Sequence, residues 1–257
     1  MKPTIYYSAD PSALFRQPMT TTESPTEYTW GDMEKSILFL SGFSAKDSAL
    51  SAALTTWFSV LNTPSHTERF SAGFDKERLK KRCKIRIIPH LEENQSDLYR
   101  NGITKQENLL FLSEKTSIKS AEERGIDLNR NFNANWIKMK TRDPKRKDCG
   151  PFPESERAVA ALVQKIKDNP PLSILLLRHG QNTLYYPKEA TQKELKEAQF
   201  LAQWGGLPLR QATDTEGTAL QWMTDRGIKT LELQYTLTPE NNSATLQKIL
   251  FLCAALT

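Results

Sequence analysis

The sequence predicts a single α/β domain, a mixed and largely parallel sheet flanked by helices. Three observations lead there. Short apolar runs of strand length, SILFLSG, KIRIIP, SILLLRHG and IKTLELQY, recur along the chain. Amphipathic stretches of helix length stand between them, the alternation expected when crossover helices cover both faces of a sheet. At 257 residues the chain is long enough for one substantial core and short for two.

Residues 1–35 read as a lead-in segment and 36–257 as the domain. The opening MKPTIYYSADPSALFRQP has no charged start followed by an apolar run, and no stretch approaches the roughly 18 apolar residues of a membrane span. A cytoplasmic protein is the expectation. SILFLSG is the first strand, and in KDSALSAALTTWFSVL after it Leu50, Leu54, Trp57 and Leu61 recur at helical spacing. KIRIIP is the second strand, ended by Pro89. SERAVAALVQKIKDNPP is a helix with Ala158, Val159, Leu162, Val163 and Ile166 on one face, stopped by the proline pair. SILLLRHG is the third strand. TQKELKEAQFLAQWGG reads as a helix closed by glycines, EGTALQWMTDRG as another, IKTLELQY as the fourth strand and NNSATLQKILFLCAAL as a terminal helix.

Composition narrows the function classes. Cys83, Cys149 and Cys253 are odd in number and lack ligand spacing, which fits reduced thiols rather than a disulfide frame or cysteine chemistry. The net charge of +5 and pI near 9.0 come from two local clusters, LKKRCKIR and KMKTRDPKRK. Neither interleaves aromatics for base stacking, so both read as solvated charge and no nucleic-acid partner is expected.

Ligands of open α/β sheets bind at the carboxyl ends of the strands. Those ends carry Ser44 and Asp47, then His90, then Arg178 and His179, with Glu232 inside the fourth strand. One further stretch reads as a site wall: ERGIDLNRNFNANW, residues 123–136, sets Asp127 and four asparagines against Leu128, Phe132 and Trp136. Within it, Asn129 and Arg130 suit a carboxylate, because a guanidinium donates two parallel charge-assisted hydrogen bonds and the amide a third. The other reading pairs Arg130 with Asp127 or another acid and makes it a loop pin. Asp127 is structural in both. Glu232, in an otherwise apolar strand, is costly to bury without a partner or a task.

GIDLNRNF closely resembles the signature of zinc carboxypeptidases, in particular the bacterial branch that includes murein peptide amidases. CGPFPESERAVAAL, LRHGQN and GTALQWMTDRGIKTLELQY resemble further blocks of that family in the same order. The resemblance implies a zinc-carboxypeptidase-like fold, a peptide or murein-derived peptide with a free carboxylate as partner, Asn129 and Arg130 as its clamp, and Glu232 as the general base. It also implies a zinc held by a His-x-x-Glu pair and a later histidine, with an upstream arginine to polarise the carbonyl. Here GFSAKDSA puts Ser44 at the histidine position and Asp47 at the glutamate position; His179 is the third candidate ligand, with Arg178 beside it one register step away, and Lys119 and Ser120 stand near the arginine position. Zinc is therefore in question. His90, His179 and Asp47 converging on a metal is an alternative; His66 is the remaining histidine.

Three functional readings follow. The first is a carboxylate-recognising relative with impaired or lost hydrolysis, a pseudoenzyme related to peptidoglycan enzymes. The second is an active metallopeptidase or murein peptide amidase of altered ligation. The third is a basic interaction module with a vestigial pocket.

Overall fold

The computed structural model describes residues 25–64, 70–91, 121, 125–137, 148–238 and 243–257. In chain order its elements are β1 (Tyr28–Trp30), β2 (Ser36–Leu40), α1 (Ser48–Asn62), β3 (Phe70–Ser71), β4 (Phe74–Asp75), α2 (Lys76–Lys80) and β5 (Lys84–Ile88). There follow α3 (Arg157–Asp168), β6 (Ser173–Arg178), β7 (Thr183–Tyr186), α4 (Gln192–Gly205), β8 (Leu209–Gln211), α5 (Ala219–Thr224), β9 (Lys229–Gln234) and α6 (Ser243–Ala255). Single 3-10 turns span Ala45–Asp47 and Leu128–Arg130.

The main sheet has seven strands in the order β1-β5-β2-β6-β9-β7-β8. Its centre, β5-β2-β6-β9, is parallel; β1 runs antiparallel to β5, and β7 antiparallel to β9. The four apolar runs of the sequence are these four central strands. Because each is covered on both faces, it reads as a continuous apolar run rather than an alternating one. Side chains of odd number, such as Ile37, Phe39, Leu175 and Leu177, pack with Trp57 of α1, Leu201 of α4 and Leu250 of α6. Those of even number, such as Leu38, Leu40, Ile174 and Leu176, pack with Val159 and Leu162 of α3, Trp222 of α5, and Leu128 and Phe132. Burying each of these large side chains stabilises by roughly 1.5–3 kcal/mol.

The short strands β1, β7 and β8 extend the sheet beyond what the apolar runs predict. Strand β1 lies inside the segment read as a lead-in, and its residues pair with Ile85, Arg86 and Ile87. Arg86 is buried in β5, its Nε donating to Glu27 at 2.7 Å and its Nη1 to the carbonyl of Asn169 at 2.5 Å. Residues ahead of position 36 thus complete a buried ion pair within the domain.

Candidate functional site

The site is built where β2, β6 and β9 end. After β2 the chain turns through Gly42, which holds a φ of +77°; a Cβ there would meet the Cα of His90 and the carbonyl of Pro89 at 2.6 Å. The 3-10 turn that follows brings Asp47 back toward the sheet, where it is buried. Both of its oxygens accept main-chain donors: Oδ2 from the N–H of Ser44 at 3.0 Å, and Oδ1 from the N–H of His179 at 2.8 Å. Asp47 and His179 do come together, but through the histidine's backbone. The carboxylate joins the end of β2 to the end of β6.

Parity along β6 settles which neighbour enters the site. Leu176 pairs with Glu232 and Arg178 with Gln234 in the parallel ladder, so Arg178 shares the face of Glu232. Nη1 of Arg178 lies 4.0 Å from Oε1 of Glu232, and its guanidinium is 5.8 Å from the Phe43 ring centre. His179 is exposed. Glu232 is buried, 6 % exposed, and its Oε1 accepts a hydrogen bond from Nε2 of Gln234 at 2.9 Å. Gln234 was legible as the same-face neighbour two residues on from Glu232, yet composition gave no reason to single it out.

The stretch 125–137 forms the adjoining wall. Asp127 begins its 3-10 turn by accepting the N–H of Asn129 at 3.0 Å. The side-chain oxygen of Asn129, buried, accepts the N–H of Ala219 at 3.3 Å, at the first turn of α5. Gly217, with φ of +68°, lies so close that a Cβ would meet the carbonyl oxygen of Arg130, and its own carbonyl accepts the N–H of Phe132 at 2.9 Å. Arg130 grips Asp214 end-on, Nη1 to Oδ1 at 3.2 Å and Nη2 to Oδ2, while its Nε is 3.7 Å from Asp127. Asp214 lay outside the sequence reading because nothing local marks it; it is placed by the return of the chain after β8.

A cavity of about 210 Å³ lies at the opposite ends of the same strands, beside Ile37, Ser173 and Lys229, remote from this cluster. His66, Lys119 and Ser120 lie outside the described residues.

The matched sequence family decides what this arrangement derives from: the model described as "Zinc carboxypeptidase" covers residues 93–247. The chain belongs to the zinc carboxypeptidase family. Solved structures similar in fold include thrombin activatable fibrinolysis inhibitor, with a TM-score of 0.65 and 14% identity over 90% of this chain. The carboxypeptidase A of Helicoverpa armigera is similar with a TM-score of 0.58 and 12% identity, also over 90% of this chain. The chain spans 65% of the length of each. The murein-tripeptide amidase MpaA of Escherichia coli O157 is similar with a TM-score of 0.52 and 18% identity, over 87% of this chain and 82% of that one. No curated protein matches the chain with significance.

The family name implies a zinc ion, and the donors at the corresponding positions do not fit one. Catalytic zinc takes nitrogen and carboxylate ligands with free lone pairs and leaves one position open. Ser44 offers a neutral hydroxyl, 3.5 Å from Oδ2 of Asp47. Asp47 is the one carboxylate at these positions, already steered by the main-chain N–H groups of Ser44 and His179, and a cationic guanidinium stands beside Glu232. Among the described residues no group of three His, Cys, Asp or Glu side chains is placed to hold a metal ion, and His90, His179 and Asp47 do not form one.

Proposed function

We propose that this member of the zinc carboxypeptidase family recognises a peptide through its terminal carboxylate and has impaired or lost metal-dependent hydrolysis. The observation that carries the reading is the donor set at the ligand positions, where Ser44 offers only a neutral hydroxyl beside Asp47 and the Arg178 guanidinium stands 4.0 Å from Glu232. Carboxylate recognition is supported by the wall around Asn129 and Arg130. The fork of Arg130 already closes end-on about a carboxylate, that of Asp214, which is half exposed and open to exchange. The likeness in fold to an amidase named for a murein tripeptide makes a murein-derived peptide the first ligand to try. Three free cysteines support a cytoplasmic setting.

Two measurements test this. Calorimetry with murein tripeptide and with acetyl-alanyl-alanine, each as free acid and amide, should show binding of the acids and a loss of about tenfold to a hundredfold on amidation. Metal analysis of protein purified without chelator should find zinc well below one per chain, and Ser44→His with Asp47→Glu should raise it only if Arg178 gives way. One tightly held zinc per chain with peptide turnover would establish an active enzyme of altered ligation instead. Equal affinity for acid and amide would leave a vestigial pocket.

A further inference from the structure

Two arginines stand at this end of the sheet, and their donors are used very differently. The fork of Arg130 is filled by Asp214, with Asp127 behind its Nε. Arg178 ends the central strand β6, on the face of Glu232, and its Nε is buried and donates to no described residue. Buried guanidinium donors are ordinarily paired, since an unmet one forfeits its hydration without return. The nearest carboxylate among the described residues, Glu232, is 4.0 Å away, beyond hydrogen-bond reach, and Oε1 of that residue is served by Gln234. Glu232 therefore balances the charge of Arg178 and aims it without occupying its fork. The Phe43 ring below fixes the height of the guanidinium. With 23% of its side chain exposed, Arg178 is in part reachable from solvent.

A guanidinium that meets no hydrogen-bond acceptor among the described residues, at the carboxyl ends of the central parallel strands, is matched by a planar two-oxygen anion. We infer that Arg178 also receives the carboxylate of the ligand, a role that the sequence pattern gives to Asn129 and Arg130 alone. The inference rests on the carboxylate reading given above and names a further residue responsible.

The experiment uses the full chain, acetyl-alanyl-alanine and its amide as probes, and calorimetry. Arg178→Gln should weaken binding of the acid about tenfold or more while leaving binding of the amide unchanged. Arg178→Lys should lose nearly as much as Arg178→Gln, because an ammonium cannot present two parallel donors. Since Arg178→Gln strands the charge of Glu232, the double variant Arg178→Gln with Glu232→Gln provides a neutral pair whose folding is checked by its melting curve, and it should also fail to bind. If the acid binds the wild type over the amide and that preference survives Arg178→Gln but falls with Arg130→Gln, the inference is overturned and the carboxylate reading stands. If acid and amide do not differ on the wild type, the reading falls and the inference with it.

Discussion

Asn131 is buried and every polar atom of its side chain is engaged. Nδ2 lies at 2.8 Å from the carbonyl of Cys149, 3.0 Å from that of Phe152 and 2.9 Å from Oγ of Ser155, while Oδ1 accepts the N–H of Glu156 at 2.9 Å. This explains why residues 123–136 combine asparagines with aromatics. Phe132 packs in the core at 5.9 Å from the Trp222 ring, and the amides beside it join loops that have no ladder of their own. Asp47 does comparable work with a charge. Asp47→Asn keeps the shape but turns an N–H donor toward one of the two main-chain N–H groups it now accepts. We expect a stability loss of about 2–3 kcal/mol in chemical denaturation, with the amide of His179 exchanging faster in deuterated solvent. An unchanged exchange rate would show that the bond to His179 contributes nothing.

Helix α4 shows an element specified almost wholly by its own residues. Thr191 Oγ1 accepts the N–H of Glu194 and Oε2 of Glu194 accepts the N–H of Thr191 at 2.7 Å, a capping box, while Gly206 closes the far end at φ of +63°. Thr191→Ala should cost about 1 kcal/mol in thermal or urea unfolding without altering peptide affinity. Elements of this kind were legible, as were the four apolar central strands. Strands β1, β7 and β8 were not: with three or four residues each, they have too few positions for alternation to register, and their pairing is decided by partners distant in sequence. At the candidate site, the side-chain types of Asn129 and Arg130 singled out their turn, and the structure adds its bonds to Ala219 and Asp214. Which of Arg178 and His179 faced Glu232 required the register of β6 against β9, because one step along a strand reverses the face. Asp214 was hidden altogether, since only the folded return of the chain brings it to Arg130.

Among the described residues two apolar layers cover the main sheet, and two of the thiols, Cys83 and Cys253, lie deep in the layer shared with α1, α4 and α6. Burial pushes Cys83 up to about 11, partly offset by Arg82, and Cys253 up to about 12, partly offset by Lys229, from an ordinary 9.0. Both groups hold their protons more tightly folded than unfolded. Their contribution is therefore fully present below pH 9 and is lost as pH rises through about 11 and about 12. A thiol reagent at pH 8 should label neither until the chain unfolds, and urea midpoints should fall progressively above pH 9; ready labelling of Cys253 in native conditions would contradict this packing. The strand order has a further consequence, in time rather than in energy. Strand β2 is hydrogen-bonded on one side to β5 and on the other to β6, with Ile37 opposite Ser173. As the chain leaves the ribosome, more than a hundred residues must emerge before the second edge of SILFL finds its partner, and β9 comes later still. Until then an apolar strand edge stands open to other chains. The nascent protein is most exposed to misassembly in that interval, and the long-range closure of β6 against β2 is the step expected to set its folding rate.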